Sequence, residues 1–374
     1  MFKKILAILM VCIMLLSLVA CGTINENPVA VLWSNDTDTY LSSLSNAIDR
    51  AMYIENITYE HYNAKNDQAA QTEQAQKAID ANCAVLLVNL VDSSAAQSIV
   101  DMAKAKDIPL VFFACDVDDE VLASYDKCAF VDTDASTLDA KQGELIGTYI
   151  AELVESDKLA SIDRNGDGKI SYVAFDKDGA DAVVEAINKT MVDYDKALQE
   201  ESKGKKKLAA IPTLEFYDAA NEAKYVDSAT AKDAMNNILA TYNDDNKNMV
   251  ELIIANDDVV ALEVLAVLQE NGFNSNKLKT HLIPLFGVGA NVDAKAFKDT
   301  SNMKPEEVEE LIFTTTDVIG AGQMAGSAME DYDANAAAIA KISANYISGA
   351  DMFAEIDETQ VKGNKVLVPY SYEK

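Results

Sequence analysis

"SIDRNGDGKISYV", residues 161–173, sets oxygen-bearing side chains at alternate positions, Asp163, Asn165 and Asp167. Gly168 follows, and from Ile170 the chain alternates apolar and polar residues as a strand does. This is the front half of an EF-hand calcium loop, which takes ligands at positions 1, 3 and 5 and a glycine at 6 for its sharp turn. The twelfth position, where such a loop needs a bidentate glutamate, is Ala174. The loop therefore runs straight into a strand, not into a second calcium-binding helix. Helical periodicity precedes it over 138–156 and resumes after it over 180–199. It is an elaboration inside an alternating series of helices and strands.

Reading outward, the same alternation covers the chain. "VAVLW" (29–33) is a short apolar strand, and Leu41, Leu44, Ile48 and Met52 fall on one face of the helix after it. "ITYEHY", a Gln- and Ala-rich helix over 67–81, "AVLLVNL" (84–90), a helix over 95–105 and "IPLVFF" (108–113) continue the series. After the loop come strands at 171–175 and 213–217, a helix over 228–242, strand "ELIIA", a helix over 258–270, strands "IPLFGV" and "LIFTTT", and a long helix over 320–346. Such a rhythm implies an α/β chain of parallel sheets with helices on both faces. In these folds ligands bind at the carboxyl ends of strands. Four strands here end in polar residues: "VLWSNDTD", "LLVNLVD", "IIANDD" and "FTTTD".

The chain opens "MFKKILAILMVCIMLLSLVAC", a basic start, an apolar stretch and small residues leading to Cys21, which is the pattern of an export signal. Leu18-Val19-Ala20-Cys21 resembles a bacterial lipobox, so residues 1–20 are expected to be cleaved and Cys21 lipidated, with 21–28 as a tether. The formal charge of −30 becomes about −32 once Lys3 and Lys4 leave with the signal. So acidic a body excludes nucleic acid as a partner, because phosphate backbones need basic patches. The basic run "ESKGKKK" (201–207) reads as a solvated surface insertion. Of the five cysteines, Cys12 lies in the signal and Cys21 is the anchor. Cys83, Cys115 and Cys128 remain, read as core thiols with one disulfide left open.

"NDTDTYL", "LLVNLVDSSAA", "IPLVFF", "SYDKCAFVDTDAS", "DRNGDGKIS", "VELIIANDD" and "IPLFGV", in that order, resemble the periplasmic-type galactose/glucose-binding proteins from about Val29 to Tyr370. The resemblance implies a two-lobed periplasmic-binding-protein type I fold with three hinge crossings, near Asp132, Asp317 and Asp351. The lobes would be 29–132 plus 317–351 and 133–316 plus 352–374. It further implies a monomer that closes on a neutral monosaccharide and delivers it to an ABC permease, with a chemoreceptor as a second partner in some members. A sensory module, or a binder of a pentose or amino sugar, stays open beside transport of a hexose.

The family also implies where the loop's last carboxylate comes from. Its calcium site is completed by a glutamate far along the chain, here Glu251 of "VELIIAN". The implied Ca2+ ligands are Asp163, Asn165, Asp167, the Lys169 carbonyl, Ser171 and Glu251, an all-oxygen set that suits a hard cation. Ser171 is shorter than the glutamine usual there. The implied sugar contacts are Asp38, Tyr40 as a stacking aromatic, Asn89, Asp181, Asp257 in place of an asparagine, and Thr316. The family's His, Arg and Trp align instead with Gly179, about Glu185 and Val226, and its Asp aligns with Gly289, so the second lobe's half of the site is rebuilt. An enzyme is not expected. The two histidines, His61 and His281, fall at or near strand starts, and no nucleophile, nucleotide-loop or catalytic zinc motif is present.

Overall fold

The computed structural model describes residues 27–35, 39–175, 180–217, 228–241, 249–274, 282–289 and 315–374; at 39, 228–229 and 315–317 only the helical backbone is described. Two compact units follow from the packing. One holds the described residues up to Thr133 together with Tyr332–Val368, the other Asp134–Asp331 together with Pro369–Lys374.

In the first unit, β1 (Val29–Trp33), β2 (Tyr59–Asn63), β3 (Leu86–Val88), β4 (Leu110–Phe113) and β5 (Cys128–Asp134) lie in the order β2-β1-β3-β4-β5, and β12 (Lys365–Pro369) and β11 (Val361–Lys362) extend the β5 edge. The pairings from β2 to β5 are parallel, with Ala30 opposite Leu86 and Leu110 opposite Cys128. Alternation along β1 explains the layers. Val29, Val31 and Trp33 pack against α1 (Thr39–Ile54) and α10 (Tyr332–Ser348), while Ala30 and Leu32 face α2 (Gln68–Asp80) and α3 (Ala96–Ala105). Leu44, Ile48 and Met52, the apolar face read from the sequence, are at most 1% exposed. Burying each such side chain contributes about 1.5–3 kcal/mol, so this face holds α1 on the sheet.

The second unit repeats the plan. Its order is β7-β6-β8-β9-β10-β13, from β6 (Lys169–Phe175), β7 (Thr213–Phe216), β8 (Leu252–Ala255), β9 (Leu285–Val288), β10 (Gly326–Met329) and β13 (Ser371–Glu373). One face carries α5 (Leu138–Glu155) and α6 (Asp181–Glu201), the other α7 (Ser228–Thr241) and α8 (Asp258–Glu270). Among the described residues no helix is long and apolar enough to cross a membrane. Cys83, Cys115 and Cys128 are free thiols, and burial pushes each up to about 12.

Three expectations need correction. The single helix expected over 320–346 is instead α9 (Thr315–Gly320), then β10, then α10. Its alanines and glycines suit either conformation, and β10 is decided by its neighbours, pairing parallel with β9 and antiparallel with β13. A side chain at Gly326 would meet the Glu373 carbonyl at 2.7 Å, which is why glycine occupies this position. The crossings expected at Asp317 and Asp351 fall at 331/332 and 368/369, because β10 belongs to the second sheet and β12 to the first. Finally, the short helix α4 (Asp119–Ala123) and the strands β11, β12 and β13 were absent from the sequence reading.

Candidate functional site

Each sheet has one switch point, where the connections leave to opposite sides of the strand order. It lies between β1 and β3 in the first unit and between β6 and β8 in the second. Ligands of open parallel sheets bind outside the carboxyl ends of such strands.

In the first unit that position is held by Asn89, 3% exposed, just after β3. Its Oδ1 accepts from the Ser34 hydroxyl at 2.6 Å and the Ser34 N–H at 3.2 Å, and its Nδ2 donates to the Ala114 carbonyl at 2.7 Å. The fully buried Gln71 donates to the Asn89 carbonyl at 2.8 Å and accepts from the Val91 N–H at 3.0 Å. The amide of Asn89 thus staples the ends of β1, β3 and β4. Tyr40, on the first turn of α1, packs its ring 5.4 Å from that of Tyr332. Tyr332 was not singled out in the sequence; only its place at the start of a helix, after an acidic pair, marks it. Asp38 lies outside the described residues.

In the second unit, buried Gln142 on α5 donates to the carbonyls of Ala255 at 2.8 Å and Gly287 at 3.3 Å, tying β8 to β9. Asp258 is fully buried and accepts from the Ser327 hydroxyl at 2.9 Å, tying α8 to β10. A side chain at Gly287 would collide with that carboxylate. Asp257 is exposed and caps α8, accepting from the N–H groups of Val259 at 2.6 Å and Val260 at 3.3 Å. Asp181 is exposed at the first position of α6; its charge adds to the burial that raises the Tyr172 hydroxyl. Thr316 lies in α9, not at a strand end, and its side chain is outside the described residues.

The residue that sequence reading passed over is Asn256, directly after β8. Its Oδ1 is buried and has no hydrogen-bond partner among the described residues. A buried acceptor left unpaired costs about 1–3 kcal/mol, so this oxygen at a switch point calls for a donor. Its signal in the sequence is the asparagine of "IIANDD", at a strand end and beside two aspartates.

The loop of residues 162–168 closes on itself. Asp163 accepts from the N–H groups of Gly166 at 2.8 Å and Gly168 at 3.1 Å, Asn165 from Asp167 at 2.9 Å, and Asp167 from Lys169 at 2.9 Å. Gly166 and Gly168 have φ of +71° and +79°, conformations open to glycine at little cost. Glu251, 2% exposed and next to the start of β8, brings its carboxylate onto this loop. It accepts from the Arg164 N–H at 2.9 Å and the Ser171 N–H at 3.0 Å, and its own N–H donates to the Ser171 carbonyl at 2.8 Å. Burial, together with the charge of Asp163, pushes the Glu251 carboxyl above its ordinary range, opposed by the N–H groups it accepts from. The Lys169 ammonium turns outward to Glu215 at 2.7 Å. Among the described residues no cluster of three or more His, Cys, Asp or Glu side chains gathers to hold a metal. The oxygen chemistry of the loop and Glu251 fits a hard cation, with the Asn165 amide and the Lys169 carbonyl as neutral donors.

A third feature lies within the first unit. A cavity of about 370 Å3 is lined by Trp33, Asn35, Ser42, Ser45, His61 and Asn63 among others. The Trp33 indole N–H donates to His61 Nδ1 at 2.8 Å, which places the imidazole hydrogen on Nε2, 2.9 Å from Asp49. His61 is therefore mid-strand in β2 and engaged in packing; His281 lies outside the described residues.

Two α/β units, each with polar groups gathered where its strand order diverges, define a binding protein of the two-lobed kind. Residues 29–351 match the periplasmic binding protein domain, and the chain belongs to that family. It is 25% identical over 346 residues to the D-galactose/methyl-galactoside binding periplasmic protein MglB of Haemophilus influenzae, covering 92% of this chain and 88% of that one. Among solved structures it is similar to a XylFII–LytSN complex, with a TM-score of 0.53, 12% identity and coverage of 93% of this chain and 98% of that one. It is also similar to an ABC transporter solute binding protein from Bacillus halodurans C-125 with bound myo-inositol, with a TM-score of 0.45, 18% identity and coverage of 94% and 96%. The family is one of transporter solute-binding proteins, not enzymes, and membership in it implies a place outside the cytoplasm.

Proposed function

We propose that this chain is a lipoprotein, anchored through Cys21, that binds a neutral monosaccharide and delivers it to an ABC permease. The observation that carries the reading is the unpaired buried acceptor of Asn256 at the second sheet's switch point. A sugar hydroxyl is a donor of the right kind; Asp257, the next residue, offers a further acceptor, and so does Asp181 at the start of α6. Galactose or glucose is the first choice, in keeping with the galactoside-binding relative. The negative charge of these side chains disfavours sugar acids and sugar phosphates, since a second anion in a water-poor site is repelled. Ca2+ has a structural part in this reading: Asp163, Asn165, Asp167, the Lys169 carbonyl, Ser171 and Glu251 would hold it and pin the loop to the start of β8.

Melting curves against a panel of neutral, amino, acidic and phosphorylated sugars test the proposal, because a ligand that binds only folded protein raises the midpoint. A rise with a neutral hexose or pentose is expected. A rise only with sugar acids or phosphates overturns it.

A further inference from the structure

We infer that the amino-terminal end of the first sheet is a membrane-resting surface, with Tyr53 and Ile54 as its contact with the bilayer. The inference rests on the lipidation of Cys21 proposed above. Tyr53 and Ile54 are 82% and 78% exposed, far more than any other large apolar side chain among the described residues. They are adjacent, at the last turn of α1, where their rings and methyls reach water with nothing of their own unit over them.

Their location is set by hydrogen bonds. The turn after α1 folds back through Asn56 N–H to the Tyr53 carbonyl at 3.2 Å and Ile57 N–H to the Met52 carbonyl at 2.9 Å. It then meets the start of β1, where the Val29 N–H donates to the Thr58 carbonyl at 2.8 Å. The segment entering β1 is held as well, with the Pro28 carbonyl accepting from Ala84 at 3.0 Å and the Asn27 amide donating to Asn82 at 2.8 Å. The chain leading from Cys21 therefore joins the body beside the exposed pair. Cys21 and Asn27 are six residues apart, a reach of at most about 21 Å even when fully extended. A lipid on Cys21 would keep this end of the unit within that distance of the bilayer.

The surface chemistry agrees. A tyrosine and an aliphatic side chain side by side suit the boundary between headgroups and acyl chains, where a phenol keeps its hydroxyl wet. The chain is strongly acidic, and this end of the sheet carries both signs: Lys106 lies 4.0 Å from Asp80 and Lys127 2.8 Å from Asp107, with the exposed Glu55 directly after the pair. The occupant is thus a lipid surface met mainly by apolar contact.

The chain from Gly22 onward, carrying a polyhistidine start, can be tethered to phosphatidylcholine vesicles that contain a nickel-chelating lipid. This makes the test independent of lipidation, which the mass of the exported chain reports separately. Trp33 is the sole tryptophan and is 5% exposed, so brominated lipid leaves its emission unchanged and the unsubstituted chain gives the background to subtract from Ile54→Trp. Brominated lipids should quench the added emission about twofold or more, and should leave a Ser94→Trp control at the other end of the sheet unchanged. Equal quenching at both positions, or none at Ile54→Trp, overturns the inference. So does a dimer in light scattering that Tyr53→Ser with Ile54→Ser abolishes, because a second copy would then own the surface.

Discussion

Asn256 and Glu251 show how much a single side chain can carry. Asn256→Ala removes an unpaired buried acceptor and with it the place of a ligand hydroxyl. The variant should melt at or above the wild-type temperature while binding its sugar at least about fivefold more weakly, a loss of roughly 1–3 kcal/mol. Titration calorimetry beside a melting curve checks both halves, and wild-type affinity would remove Asn256 from the site. For Glu251→Gln the reading is metal-dependent stability. Asp163 and Glu251 crowd two carboxyls at the loop, and a cation that binds only the folded state would stabilise it. Chelator should lower the melting temperature of wild type and have little effect on Glu251→Gln. Identical melting of wild type with and without calcium would leave the loop as a turn only. Spacing alone exposed Asp163, Asn165 and Asp167, because an alternating ligand pattern is local. Glu251 was reached only through family likeness, because it lies on another strand.

At the scale of elements, α5 packs closely against α6 through two glycines. Side chains added at Gly143 and Gly147 would run into Ala186 and Thr190; at Gly147 the Thr190 Cβ would be 2.7 Å away and the Ile187 carbonyl 2.8 Å. Neither neighbour is the flexible end of a long side chain, so the helices must separate. Gly147→Ala should therefore destabilise the protein by about 1–3 kcal/mol despite the better helix propensity of alanine, as urea unfolding would show. A neutral or stabilising result would mean the helices adjust at no cost. Helix α1 was legible from its four-residue apolar stripe. Strand β10 was not, since "MAGSAME" carries no period of two and its strand state comes from β9 and β13. That Asp257 caps α8 is shown only by the hydrogen bonds it accepts from Val259 and Val260.

For the whole molecule, export and anchoring are the first test. Cys21→Ser should leave the chain without its lipid and change its processing, and unchanged retention and processing would count against lipidation. The α/β class, the acidic body and the alternation of elements were all written in local patterns of charge and hydrophobicity, which need no partner to be read. The strand order needed the folded chain, because which strands become neighbours depends on packing between segments far apart in sequence. So did the exchanges at 331/332 and 368/369, which follow from β10 and β12 finding edges in different sheets. The stapling of strand ends by Gln71, Asn89, Gln142 and Asp258 has the same origin. A buried polar side chain is defined by the partners that burial brings to it, and those partners come from other parts of the chain.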